Sequence, residues 1–339
     1  MSWKIVATFN IPMVSIGPDQ FKEIDAEFVQ KVCQTENELV ELARDADAVI
    51  TVVEPFTRRV IENLEKCRVI ATPKVGYDNI DVKAATEHGI CVATAGDYSR
   101  EEVSDHAMAL LLACARKIVR LHDAAKGGNW GAPVMSPKIR EIWQPMFKLR
   151  EQTLGLVGLG SIARALVPKA KGFGLRVVAS DPYIPPNVAK DMDVELVSFD
   201  RLLSESDYIS IHAVLTKENQ NMFGLKQFKK MKPTAYLINT ARGELVDTEA
   251  LCNAVSEGYI AGAGLDVVSP EPPSTDSPLF KLENIIVTAH SGHYSDTAMP
   301  EPSRRAPKEV IRVLKGEWPL ALINPAVKEK FAQKWGKMG

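Results

Sequence analysis

Three residues in the second half of the chain are of types that could share one reaction: Arg242, Glu271 and His290. An arginine presents a planar fork that binds a carboxylate and polarises a carbonyl oxygen. A histidine delivers a proton to that oxygen, or removes it in the reverse direction. A carboxylate beside the histidine fixes the ring and favours its protonated form. The trio suits hydride transfer at a carbonyl next to a carboxylate, that is, interconversion of a 2-oxo acid and a 2-hydroxy acid. Plainer readings exist for each. Arg242 could be a surface arginine at a turn, and His290 a structural histidine. Glu271 could be a solvated residue of the loop Pro270-Glu271-Pro272-Pro273.

A hydride needs a carrier, and Gly158-Leu159-Gly160-Ser161-Ile162-Ala163 has the form of a dinucleotide turn. It lies between an apolar run, Thr153–Val157, and a helix-like run, Ala163–Phe173. Gly158 permits the tight turn and Gly160 lets the backbone approach a pyrophosphate. The backbone N–H groups at the helix start, Ser161 and Ile162 among them, face its charge. Ala163, in the third fingerprint place, is still small enough for close helix–strand packing. About 20 residues further on, Asp181 ends the next strand and suits a ribose 2′-hydroxyl. Its charge would repel a 2′-phosphate, so NAD is expected rather than NADP. A glycine triplet alone marks no more than a turn; its strand, helix and acidic residue make the case.

These residues need a frame, and the chain alternates strand-like and helix-like segments throughout. That pattern predicts an α/β fold with two doubly wound parallel-sheet domains, one flavodoxin-like and one a Rossmann dinucleotide-binding domain. Strands are expected at Lys4–Thr8, Ala48–Val53, Arg68–Thr72 and Ile90–Ala93 in the first hundred residues. Helices are expected at Glu36–Ala43 and Val82–Glu87. Six more strands follow: Thr153–Val157, Leu175–Ala179, Tyr208–Ile211, Ala235–Asn239, Gly262–Asp266 and Asn284–Thr288. Helices fit Ser161–Gly172 and Thr248–Ser256, the second opening on the N-cap chemistry of Asp247. The run Glu101–Arg120 reads as one long buried helix. Residues 1–100, completed by 301–339, are expected to form the substrate domain, and 101–300 the NAD-binding domain. Ligands bind beyond the carboxyl ends of such strands, which is where Arg242, Glu271 and His290 fall. His212 also ends a strand and is expected to flank the cofactor through its backbone.

Composition narrows the alternatives. The chain has 339 residues, a net charge of -2 and 25% charged residues. This gives no electrostatic case for nucleic acid or an anionic membrane. The five cysteines are scattered with no CxxC, and His88, His106 and His122 lack partners at ligand spacing, so neither disulfides nor a metal are expected. No apolar run reaches about 18 residues, and a reducing cytoplasm is the expected location. His106, following Asp105, is expected to be structural or to lie at a dimer interface.

The motifs resemble those of the D-isomer-specific 2-hydroxyacid dehydrogenases over nearly the whole chain, from about Ala48 to about Leu314. Val75-Gly76-Tyr77-Asp78-Asn79-Ile80-Asp81 is similar to the family's substrate loop. Lys232-Pro233 through Asn239-Thr240-Ala241-Arg242-Gly243-Glu244-Leu245-Val246-Asp247 is similar to its arginine signature. Gly264-Leu265-Asp266-Val267-Val268-Ser269-Pro270-Glu271-Pro272 is similar to its glutamate signature. Thr288-Ala289-His290-Ser291-Gly292 is similar to its histidine signature, with Ala289 where proline is usual.

The resemblance implies Arg242 for substrate binding, Glu271 supporting His290, and His290 as acid and base. It implies Asp266 as a partner of the nicotinamide carboxamide, with Thr240 and Gly292 in the cofactor set. It also implies the Val75 and Gly76 N–H groups as receivers of the substrate carboxylate, and a homodimer. Lys74 could meet a second anionic group or be a solvated lysine. Gly292-His293-Tyr294-Ser295 and Asp181-Pro182-Tyr183 resemble the C-terminal-binding-protein-like branch, in which tryptophan usually stands where His293 does. His293 therefore joins the substrate candidates. The expected function is NAD-dependent reduction of a 2-oxo acid to a D-2-hydroxy acid, or the reverse. The alternatives are an NAD-sensing corepressor-like scaffold, or a dehydrogenase of a phosphorylated or dicarboxylic acid.

Overall fold

The computed structural model describes residues 2–131 and 136–339. The chain divides into two compact units, Met1–Ser99 with Ser295–Gly339, and Arg100–Tyr294.

In the first unit five strands make one parallel sheet: β1 (Trp3–Ala7), β2 (Ala26–Gln30), β3 (Ala48–Ile50), β4 (Val69–Thr72) and β5 (Cys91–Thr94). Their order, β2-β1-β3-β4-β5, is the flavodoxin-like one. Side chains alternate between two buried faces, as the two-residue period of a strand requires. Ile5, Ala7, Ile50 and Ala71 face one core, which the C-terminal helix Pro300–Leu314 covers with Ala306, Val310 and Val313. Val6, Val49, Ile70 and Val92 face the other, with Leu39, Val60 and Ala85. Beyond that helix the chain returns to β5, where Ile323 N–H donates to the Val92 carbonyl and Val92 N–H to buried Asn324.

The second unit holds seven parallel strands: β6 (Thr153–Val157), β7 (Arg176–Ser180), β8 (Glu195–Leu196), β9 (Tyr208–Ile211), β10 (Tyr236–Asn239), β11 (Gly262–Leu265) and β12 (Ile285–Val287). The order β12-β11-β10-β9-β6-β7-β8 reverses direction at β6 and β9, the switch point of a Rossmann sheet. One face packs on helices Arg100–Ala115 and Ser161–Gly172 through Leu154, Leu156, Ala163 and Leu166. The other packs on Thr248–Ser256 through Leu237, Leu251 and Leu265.

Three expectations are corrected. Glu101–Arg120 is not one helix: it stops at Ala115, and Lys117 turns in the left-handed region (φ 52°) before a second helix, Ile118–Lys126. The turn falls on a lysine, with neither glycine nor proline to mark it. The apolar residues of the first helix, Leu110, Leu111 and Cys114 among them, are buried within its own unit. The Rossmann sheet has a seventh strand of only two residues, β8, too short to show a pattern. β2 was also not expected, because an edge strand with one half-buried face alternates weakly. Among the described residues no helix is long and apolar enough to cross a membrane.

Candidate active site

All strands of the second sheet run the same way, so the loops that follow β6, β9, β10, β11 and β12 share one edge. Gly158 takes φ +88°, and a Cβ there would meet the His212 backbone at 3.0 Å. The turn after β6 therefore lies directly on the segment after β9, which is where His212 takes part. The His212 ring accepts or donates at Ser210 Oγ, 2.9 Å away, and burial pushes it down to about 4, so it is neutral near pH 7.

The cofactor expectation can be tested on this geometry. Helix Ser161–Gly172 begins at Gly160 with no side-chain cap, leaving its first N–H groups for a ligand. A Cβ on Gly160 would meet nothing within 4 Å. The Thr240 hydroxyl is buried with no hydrogen-bond partner, as expected of a group that awaits one. Asp181 accepts Leu159 N–H at 2.8 Å on one oxygen and Tyr183 N–H at 2.8 Å on the other. Its carboxylate thus holds the glycine turn while remaining part-exposed. These residues fit a dinucleotide.

His290 follows β12 in the left-handed region, φ 50°. Its Nδ1 lies 2.5 Å from Glu271 Oε1, and both side chains are open to solvent, at 47% and 41% exposure. The structure thus joins two of the three chemical residues. Arg242 lies after β10, where Asn239 shapes the loop: its carboxamide accepts Ala241 N–H and donates to the Arg242 carbonyl. Arg242 Nη1 donates to the Ala241 carbonyl at 2.7 Å. Gly243 admits no side chain, since a Cβ would lie 2.0 Å from the Val268 carbonyl oxygen. Thr248 Oγ1 donates to the Ser269 carbonyl at 2.6 Å. The arginine loop is therefore packed on the segment that leads to Glu271.

Asp266 is 4% exposed. Its carbonyl accepts His290 N–H, and its carboxylate accepts Thr288 Oγ1–H, Ser291 N–H and Gly292 N–H. Burial alone would raise its pKa. Hydrogen bonds from His106, Thr288, Gly292 and Ser291 outweigh that and hold it well below the usual carboxylate range. A carboxamide partner would have to share oxygens already used inside the protein. His293 sets its ring perpendicular to that of His290, centroids 5.9 Å apart. Burial, with the His290 charge adding, pushes His293 below the ordinary imidazole value.

In the first unit, Lys74, Val75 and Gly76 follow β4. Lys74 Nζ donates to Asn79 Oδ1 at 3.2 Å, and Asn79 Nδ2 donates to the Glu54 carbonyl. Buried Glu54 accepts Thr8 and Thr51 hydroxyls at 2.9 and 3.0 Å. Sequence reasoning passed over Glu54, Asn239, Thr288 and the His106 contact. Asn239 and Thr288 carried a signal, each a polar residue ending an apolar strand. Among the described residues no cluster of three or more histidine, cysteine, aspartate or glutamate side chains is arranged for a metal ion.

The family model for the NAD-binding domain of D-isomer specific 2-hydroxyacid dehydrogenases matches residues 108–292. A glyoxylate reductase of Thermococcus litoralis is 41% identical over 295 residues, covering 85% of this chain and 87% of that protein. A D-3-phosphoglycerate dehydrogenase of Methanocaldococcus jannaschii is 40% identical over 292 residues, 86% of this chain but 54% of that longer protein. The structure of an Aquifex aeolicus D-lactate dehydrogenase, complexed with NAD and lactic acid, aligns with TM-score 0.76 at 28% identity, covering 93% of this chain and 96% of that one. The chain belongs to the D-isomer-specific 2-hydroxyacid dehydrogenase family, and is an oxidoreductase of that family with NAD as its cofactor.

Proposed function

We propose that this enzyme reduces small 2-oxo acids, glyoxylate among them, to the corresponding 2-hydroxy acids, of D configuration where a stereocentre forms. The observation that carries the reading is the 2.5 Å hydrogen bond between His290 Nδ1 and Glu271 Oε1, on the strand-end edge that also bears Arg242. Glyoxylate is suggested by the activity named for the Thermococcus litoralis relative.

When bound, NADH supplies the hydride. With Nδ1 turned to Glu271, His290 has Nε2 left to give the carbonyl oxygen its proton, and Glu271 holds the imidazolium that donates it. Arg242 binds the substrate carboxylate and polarises the carbonyl. Val75 and Gly76 offer backbone N–H groups to the carboxylate, with Lys74 beside them. Gly158, Gly160, Ser161 and Ile162 take the pyrophosphate and Asp181 the ribose 2′-hydroxyl, which favours NADH over NADPH. Thr240, the His212 backbone, Asp266 and Gly292 complete the cofactor wall. We assign residues 1–100 with 301–339 to substrate binding and 101–300 to NAD. The enzyme works as a homodimer in the cytoplasm, where its cysteines stay free. Light scattering at micromolar concentration checks the dimer.

The test is NADH oxidation with glyoxylate, hydroxypyruvate, pyruvate, a bulkier and a phosphorylated 2-oxo acid. Turnover is expected on the smaller ones, and Glu271→Gln should lower it. Retained NADH binding with no turnover on any would replace this reading with that of a dinucleotide-sensing scaffold.

A further inference from the structure

The proton-bearing loop needs a reason to hold His290 in a left-handed conformation. The answer lies beneath it, in a chain of hydrogen bonds that starts on the helix Arg100–Ala115. His106 Nε2 lies 2.9 Å from Thr288 Oγ1, and Thr288 Oγ1 donates to Asp266 Oδ1 at 2.6 Å. Asp266 Oδ1 also accepts Ser291 N–H at 3.0 Å, Oδ2 accepts Gly292 N–H at 2.8 Å, and the Asp266 carbonyl accepts His290 N–H at 2.8 Å. Three successive backbone N–H groups of the loop thus end on one residue.

A threonine hydroxyl carries one proton. Given to Asp266, that proton leaves only lone pairs toward His106, so His106 must present Nε2–H. The polarity of the chain follows: His106 donates to Thr288, with the same Nε2 also 3.3 Å from Asp266 Oδ1, and Thr288 donates to Asp266. Without the His106 donor, the Thr288 hydroxyl is free to turn toward the Leu265 carbonyl, 3.5 Å away. Asp266 would then lose its shortest hydrogen bond in a site that is nearly closed to water. The His106 ring also serves as a floor. A Cβ on Gly292 would meet Asp266 Oδ2 at 2.9 Å and the His106 ring at 3.3 Å, so the loop's third residue rests on both.

We infer that His106 is a positioning residue of the reaction: through Thr288 and Asp266 it fixes the 290–292 loop, and with it the His290 ring against Glu271. His106 touches neither His290 nor Glu271 in this chain of contacts. It acts on where the proton donor stands, so its loss should appear in kcat more than in cofactor binding. The inference rests on the reading of His290 as the acid and base.

The experiment compares His106→Leu and Thr288→Val, which break the chain, with His106→Gln and Thr288→Ser, which keep a donor and a hydroxyl. Glyoxylate reduction, NADH affinity by fluorescence and melting temperature are measured for each. His106→Leu and Thr288→Val should each lower kcat by about 10- to 10²-fold, the scale of a loop displaced by up to about 1 Å. KM for NADH should change little. The double variant should lose no more than the worse single one, because both cut the same chain. His106→Gln and Thr288→Ser should recover most of the turnover. The inference is overturned by wild-type kcat in His106→Leu, by additive losses in the double variant, or by conservative variants as slow as the disruptive ones. His290→Ala separates the two levels. If it turns over like the wild type, the reading of His290 falls. If it is inactive while His106→Leu is not impaired, only the role of His106 falls.

Discussion

Asp181 and Asp266 each stand just past the carboxyl end of a strand, and each accepts backbone N–H groups from the loop beside it. Asp181 takes Leu159 and Tyr183, and so fixes the glycine turn. Asp266 takes Ser291 and Gly292, and so fixes the histidine loop. They differ in what remains. Asp181 is part-exposed and meets no side-chain donor in these bonds, which leaves lone pairs facing solvent. Asp266 is 4% exposed and also takes the Thr288 hydroxyl, with His106 behind it. The same residue type at the same place in the sheet keeps lone pairs toward solvent in one case and spends them on loop N–H groups and a hydroxyl in the other. Exposure and the count of internal donors separate the two, and sequence position does not.

The largest effect is expected on the loop that Asp266 braces. His290→Ala should lower kcat for 2-oxo acid reduction by about 10²- to 10⁴-fold, the range for loss of a positioned acid–base group. NADH binding, measured by fluorescence titration, should be nearly intact, because the glycine turn and Asp181 are untouched. A comparable loss of NADH affinity would mean that the two loops are not the separate devices described above.

The second contrast is one of stability. Asp266→Asn replaces a carboxylate with buried donors by a group that cannot accept on both ends, and should cost about 3 kcal/mol. Asp181→Asn, part-exposed, should cost less than about 1 kcal/mol. The Asp266 contribution depends on pH with a definite sign. Its native pKa is depressed, so its stabilisation is complete above the unfolded aspartate value of about 4. It shrinks as pH falls from there and is gone once pH passes below the native value. Urea midpoints of wild type and Asp266→Asn should therefore converge as pH drops below about 4, and a gap constant down to lower pH would remove the bracing role of the charge.

The glycine turn and the two parallel sheets were legible because each is written in contiguous or periodic residues, and the Glu271–His290 pair because both residues follow strand ends within short stretches similar to the family's signatures. Gly158 to Ala163 sits between a strand and a helix whose limits, Thr153–Val157 and Ser161–Gly172, agree with the structure. The bracing under the 290–292 loop was not legible. His106, Thr288 and Asp266 lie far apart in sequence, on a helix and two strand ends, and only packing brings them together. The same holds for Glu54 beneath the loop of Lys74, Val75 and Gly76, which reads locally as one more acidic residue before a proline. The break at Lys117 escaped because the left-handed turn falls on a buried lysine, with no glycine or proline to mark it. Resemblance to the C-terminal-binding-protein-like branch rested on short stretches around His293 and Asp181.

Asp181 supplies the next test of the comparison. If its open lone pairs read the ribose, Asp181→Ala should narrow the preference for NADH over NADPH by about ten-fold, the worth of one hydrogen bond to a charged group. The ratio of kcat/KM for the two cofactors checks it. A wild-type preference for NADPH, or an unchanged ratio in the variant, would show that Asp181 only braces its turn, as Asp266 braces the other.

The smallest expected effect concerns His293, the ring beside His290 at 5.9 Å. A tryptophan at this place would fill more of the wall than an imidazole does, so the wild type should accept 2-oxo acids larger or more polar than glyoxylate. Its charge state decides which. Burial and the neighbouring His290 charge hold His293 below the ordinary imidazole value, so near pH 7 the ring is neutral and can donate one hydrogen bond at most. A hydroxylated side chain should then be favoured modestly at neutral pH. Preference for a negatively charged side chain should strengthen only as pH falls below about 6.5, the unperturbed value. This is opposite to a wall cation that persists at neutrality. The comparison is kcat/KM for wild type and His293→Trp across a size-graded set of 2-oxo acids at two pH values. A shift of the ranking toward glyoxylate in the variant, with loss of the pH effect, assigns the wall to His293. An unchanged ranking takes His293 out of substrate selection and leaves it as a neighbour of the catalytic ring alone.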